Sequence, residues 1–222
     1  MTKPSSEILM ACQTMCAFGS SLLYEGPDRE KLTALAQASD LLRESPFVAL
    51  GDGTALRMAD ALRSAASDEA AFDAFYRDLR QDYAFLFYMV SVSKASPFES
   101  VYRTDDATMF GPTTLEVRHE YERFGLKLSA SDSQPDDHLG IELAFLAELF
   151  ARAEAADEAR AATFLDAAWG FMHEHVLAFS HTYLEQAAQA ARTAFYRDAA
   201  RLIDAAIDET AAVLDAWRGH NR

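Results

Sequence analysis

Four groups of residues in this chain have types and spacing that could support chemistry. Two Asp-Asp pairs occur, Asp105-Asp106 and Asp136-Asp137. Paired acids do acid–base work only where their surroundings separate their pKa values. In a polar loop or a first helical turn they are ordinarily solvated or capping, and that is the expectation here. His173, His175 and His181 suggest a metal, but residues two apart on a helix do not face each other. The His-Glu-x-x-His pairing is absent. His175 is therefore expected as a packed, hydrogen-bonded histidine on the Phe171–Phe179 face, with no metal site. Cys12 and Cys16 share a helical face as small core residues. Two cysteines make no disulfide framework, which fits a reducing, cytoplasmic setting. No glycine-rich phosphate loop and no G-x-S-x-G elbow is present. These observations predict neither an enzyme nor a bound cofactor.

The fourth group is aromatic. Tyr83, Phe85, Phe87 and Tyr88 fall within six residues. A helix end that is apolar nearly all round is either completely buried or a hydrophobic binding surface.

Helices must position these groups. Alanine supplies 42 residues while valine and isoleucine together supply 11, which favours helix over sheet. The spacing predicts helices over 5–24, 28–44, 54–66 and from Ser67 or Asp68 to Val90. The fourth carries a stripe of Phe72, Phe75, Tyr76, Leu79, Tyr83, Leu86, Phe87 and Val90. From Ser91 to Gly111 no period is apparent, and an irregular stretch of that length is often functional. Pro112 restarts a helix that ends at Gly125, a natural C′ residue. A polar stretch, 129–135, follows, and Pro135 is expected to open the next helix. Residues 139–222 hold no proline and read as three or four more helices. The expected fold is an all-α globular bundle of about nine or ten helices forming one compact unit. Its N-terminal helical part is 1–128, with the long loop 91–111. A hinge-like loop, 129–138, leads to the alanine-rich C-terminal part, 139–222. Such a hinge is compatible with a monomer or a domain-swapped homodimer.

Lys and Arg number 20 against 35 Asp and Glu, a formal charge of −15. A nucleic-acid binder carries the opposite balance. An acidic surface attracts cationic partners instead. No run of about 18 apolar residues exists, so membrane insertion is not expected.

Several segments, in order, resemble one known family. Tyr83-Ala84-Phe85-Leu86-Phe87 is similar to the aromatic-x-x-Leu-Phe motif of the TorD/DmsD chaperones. Ser96-Pro97-Phe98-Glu99-Ser100-Val101-Tyr102 resembles that family's Pro-aromatic-x-Ser-Val-Tyr segment. Tyr121 to Leu126 resembles its Tyr-x-x-x-Gly-Leu segment. Pro135-Asp136-Asp137-His138, with Glu142-Leu143 following, resembles its Pro-Asp-His loop, and His175 to Phe179 its later His-x-x-x-aromatic turn. Tyr88-Met89 stands where the family often has Gly-Pro, and Gln134 where it usually has an acid. The resemblance implies a cytoplasmic chaperone that matures a molybdenum-containing reductase. It would bind the twin-arginine leader peptide and hold the apo form until its cofactor is inserted. In that reading the leader's apolar stretch packs on Tyr83, Leu86, Phe87 and Phe98. Asp136 and Asp137 meet its arginines or backbone donors, and His138 shapes the loop. Pro97, Ser100 and Tyr102 shape the preceding segment. The alternative is a general helical scaffold that docks folded proteins without leader specificity.

Overall fold

The structure is a computed structural model that describes residues 2–89, 95–103, 111–128 and 134–220. Val90, most of the aperiodic loop (91–94 and 104–110, with Asp105-Asp106) and positions 129–133 of the polar stretch lie outside the described residues. The described chain is all-helical. Its only bridge-type pairing is the isolated antiparallel contact of Phe98 with His138.

The helices are α1 (Ser6–Tyr24), α2 (Arg29–Gln37), α3 (Thr54–Ala65), α4 (Glu69–Tyr83), α5 (Glu99–Arg103), α6 (Pro112–Arg123), α7 (Leu139–Ala155), α8 (Glu158–Phe171), α9 (Leu177–Ala190) and α10 (Ala194–His220). Side-chain caps set their starts. Asp28 accepts from the Glu30 and Lys31 amides, Asp68 from the Ala71 amide and Asp157 from the Arg160 amide. Gly125 ends α6 with a φ of 71°, a left-handed C′ position that glycine adopts without strain. Two single π-helical turns interrupt the pattern, Ala84–Tyr88 after α4 and Met172–Val176 after α8. Such turns recur at functional sites.

The chain forms two compact units, and neither is a continuous stretch. The first contains Met1–Tyr24, Pro97–Ser180 and Ile207–Arg222; the second contains Glu25–Ser96 and His181–Ala206. In the first, α1 packs along α7, and α7 packs on α8. Leu9, Cys12, Met15 and Cys16 of α1 and Leu139, Leu143, Leu146 and Phe150 of α7 are fully or almost fully buried. Burying each large aliphatic side chain contributes about 1.5–3 kcal/mol. Burial also pushes the Cys12 thiol up to about 12 and the Cys16 thiol higher still, so both are inert core residues. Lys3 closes the far end of α7 by donating to the carbonyls of Glu154 and Ala156. In the second unit α3 packs on the 3-10 turn Ser39–Arg43 and on α2, around Leu32, Leu42, Met58 and Leu62.

Three local expectations change. The helix expected over 28–44 stops at Gln37 and continues as the 3-10 turn. The helix expected to open at Pro135 opens at Leu139, because the His138 side chain supplies its cap. The stretch expected without a helical period contains one: residues 97–103 include α5, which is held by bonds to residues near 137.

Candidate functional site

In the first unit the two motif segments fold against each other. The Glu99 amide donates to the Asp137 carbonyl at 2.9 Å, and the Leu139 amide to the Pro97 carbonyl at 2.8 Å. Asp137 turns inward. One carboxylate oxygen caps α5 by accepting from the Ser100 amide at 2.8 Å, and the other accepts from the Thr114 hydroxyl at 3.0 Å. Its exposure is 0%. Asp136 is also buried, and one of its carboxylate oxygens takes both Nε and Nη2 of Arg118, at 2.9 and 2.5 Å. Both bonds are charge-assisted, which makes them stronger than neutral ones. The Asp136 carbonyl accepts from the Tyr121 hydroxyl at 3.0 Å.

His138 stands edge-on between Tyr24, 5.5 Å away, and Phe98, 5.3 Å away. Its Nδ1 accepts from the Gly140 amide at 3.0 Å. Burial lowers its pKa to about 3, so the ring stays neutral and can keep accepting. Gly140 is glycine for a steric reason: a Cβ there would sit 2.8 Å from the Tyr24 Cβ and 3.0 Å from the Tyr24 amide nitrogen.

Behind this crossing lies an acidic interior. Glu99 is fully buried; one oxygen takes Arg103 at 2.8 Å and the other pairs with His175 Nδ1 at 3.0 Å. Arg103 also donates to the Glu174 carbonyl. Glu142, in the first turn of α7, is fully buried, and neither carboxylate oxygen has a hydrogen-bond partner among the described residues. Burial, reinforced by the nearby Glu99 and Asp137 charges, holds its pKa well above the usual carboxylate range. Burial, with Glu142 and its acidic neighbours, likewise raises the Tyr121 phenol.

The other expected residues are placed as follows. Phe98 and Ser100 are buried within the crossing, and Pro97 is part of it. Tyr102 is half-buried, its ring 5.6 Å from Phe179. Tyr83, Leu86 and Phe87 belong to the second unit and are buried there, with the Tyr83 and Phe87 rings 4.6 Å apart. The large apolar side chains exposed at the end of the 84–88 π turn are Tyr88 and the following Met89, at 68% and 51% exposure. Phe85 is half-buried beneath the Arg192 guanidinium, 3.7 Å from its ring centroid. His175 is a packed, hydrogen-bonded histidine beside Phe171, as its spacing predicts. Glu99, Arg103, Thr114 and Arg118 escaped sequence reasoning, because only folding brings them to Asp136, Asp137 and His175. Among the described residues no group of three or more His, Cys, Asp or Glu side chains is arranged to hold a metal ion. No helix among them is long and apolar enough to cross a membrane.

Comparison with known proteins agrees with the motifs. The family model of the nitrate reductase delta subunit matches residues 52–185, which include both crossing segments. The chaperone protein TorD of Vibrio cholerae serotype O1 is 31% identical over 139 residues, covering 62% of this chain and 63% of that protein. TorD of Vibrio vulnificus is 27% identical over 161 residues, covering 68% of this chain and 74% of that protein. A probable Tat proofreading chaperone DmsD of Haemophilus influenzae is 25% identical over 126 residues, 57% of each chain. The chain thus spans somewhat less than two thirds of the Vibrio cholerae relative, and these relatives are named as chaperones rather than enzymes. Since the family match extends over more than half its length, the chain belongs to the TorD/DmsD family, the group described as the nitrate reductase delta subunit.

Proposed function

We propose that this chain is a cytoplasmic maturation chaperone for a molybdenum-containing reductase, and that it binds the reductase's twin-arginine leader peptide and guards the apo form until cofactor insertion. The observation that carries the reading is the crossing of Pro97–Ser100 with Asp136–Leu139. Two motifs nearly 40 residues apart are tied by three hydrogen bonds. A buried polar network whose members are paired holds one rigid shape, which is what a preformed peptide site needs.

In this proposal the leader's apolar stretch meets the aromatic end of α4. Tyr88 and Met89 offer surface there, and Tyr83, Leu86 and Phe87 lie beneath. Phe98 and Tyr102, with Pro97 and Ser100, shape the loop. Asp137 and His138 position the crossing from inside, while Asp136 fixes Arg118 at its edge. The net charge of −15 favours encounter with a cationic leader.

Calorimetry of the full chain with synthetic twin-arginine leaders, at two salt concentrations and with Lys-Lys versions, tests the reading. Low-micromolar binding that weakens with salt and with Lys-Lys is expected. A chain that binds a folded client domain but no leader from a broad panel is a general scaffold, and the proposal falls.

A further inference from the structure

A groove of about 370 Å³ opens in the first unit between the end of α6, the face of α8 and the π turn that follows α8. None of the sequence motifs points to it except through His175. Half-buried Phe124 supplies aromatic surface above the buried Phe171, and a Cβ added at Gly170 would meet nothing within 4 Å, so the groove is open there. Asp166 and Glu174 bring carboxylates to its rim.

His175 also lines this groove, although only 5% of it is exposed. Its Nδ1 faces the Glu99 carboxylate, which accepts hydrogen bonds, so Nδ1 carries the hydrogen. With Nδ1 so engaged, Nε2 is the ring atom left for a guest, and no hydrogen bond to it is found among the described residues. The groove therefore combines an accessible ring nitrogen, rim carboxylates and an aromatic ring. That set suits a guest rich in donors, positively charged and flat.

The molecule already shows the pose on its own rim. The Arg123 guanidinium rests on the Glu120 carboxylate at 2.6 Å, and 5.9 Å from the Phe124 ring centroid. We infer that the groove receives an arginine side chain of the client leader peptide, with its guanidinium bonded to His175 Nε2 and the Glu174 carboxylate. The inference rests on the leader-binding reading for the source of the arginine, and on the groove alone for the chemistry. It also accounts for Asp136 and Asp137, which are buried and already bonded within the protein.

Two variants alter the groove without touching its supports. Gly170→Met fills it from an open position, and Glu174→Lys reverses a rim charge while keeping the backbone carbonyl that Arg103 uses. Leader affinity of the full chain is expected to fall at least tenfold in each, with unchanged melting. An acetylated, amidated Gly-Arg-Arg-Gly peptide should shift the His175 ring proton resonances of the wild type saturably, and the citrulline version should not. If leaders bind both variants as tightly as wild type, the groove assignment is overturned and leader binding stands. If no leader binds but Gly-Arg-Arg-Gly shifts His175, the groove is upheld as a guanidinium site and the leader reading fails. If Gly-Arg-Arg-Gly leaves His175 unmoved at millimolar concentration, the groove assignment is overturned.

Discussion

Each compact unit buries a carboxylate at a helix terminus, and the two are treated in opposite ways. In the second unit Asp82 is 1% exposed and reaches the start of α10. It accepts from the Arg192 and Thr193 amides and from the Thr193 hydroxyl, at 2.6–3.1 Å. One side chain thus meets the two amides that precede the helix, while Thr193 itself takes the Tyr196 and Arg197 amides. In the first unit Glu142 is just as buried and meets no donor among the described residues. A buried acid surrounded by donors is a structural cap. One surrounded by other acids holds its proton and leaves bonding capacity unused. Burial alone thus does not say what an acid does; the count of donors around it does.

The largest test of this contrast removes the satisfied acid. Asp82→Ala would leave three part-buried donors at the head of α10 without their acceptor, at a cost of about 2–3 kcal/mol. Urea unfolding measures it, and a loss below about 1 kcal/mol would show that the bonds are replaceable by water. The next test uses pH. His138 has a folded pKa of about 3 against about 6.5 unfolded, so as pH falls below 6.5 the unfolded chain takes up a proton that the folded chain refuses. The contribution of neutral His138 is complete above pH 6.5 and shrinks toward pH 3, by about 2 kcal/mol at pH 5. His138→Asn keeps a capping oxygen and cannot titrate. Its stability between pH 7 and pH 5 should lack that part of the decline, and an equal decline in both proteins would place the effect elsewhere.

Much of this frame is legible in the sequence. Asp28, Asp68, Pro112 and Gly125 announce helix ends because caps and C′ glycines act within a few residues. The alanine-rich stretch from 139 yields four helices for the same local reason. The site was legible as a set of residue types but not as contacts. α5 depends on an acceptor 37 residues away, so no local pattern marks it. Asp136-Asp137 reads as a solvated pair until Arg118, Thr114 and Ser100 are brought to it. The aromatic run cannot tell its buried members, Tyr83, Leu86 and Phe87, from its exposed ones, Tyr88 and Met89. A π turn at 84–88 breaks the helical period that would sort them. The interleaved units follow from long-range packing, which spacing does not encode.

A smaller effect tests how tightly the crossing is set against α1. Gly140→Ala places a methyl within 3.0 Å of the Tyr24 backbone, and both helix and partner must shift. A loss of about 1–3 kcal/mol is expected in thermal or urea unfolding, with His138 losing its edge-on contact to Tyr24. An unchanged melting temperature would mean that α7 has slack at its first turn, and that the position of His138 is set by Phe98 and the Gly140 amide alone.

The last test is the smallest near pH 5 and returns to Glu142. Its folded pKa lies well above the ordinary 4.5, so between those two values the folded chain holds a proton that the unfolded chain has released. Stability is therefore complete below about 4.5 and falls as pH rises, opposite in sign to His138. Three groups set the direction. Glu99 and Asp137 repel a charge on Glu142, and Arg103 only partly offsets them. Glu142→Gln keeps the shape, cannot ionise, and offers an amide donor to a cluster rich in acceptors. Its stability should lack the alkaline decline, so the gap between variant and wild type widens in the variant's favour as pH rises. Parallel curves for the two proteins would mean that the Glu142 carboxylate is solvated when ionised, and the contrast with Asp82 would lose its physical basis.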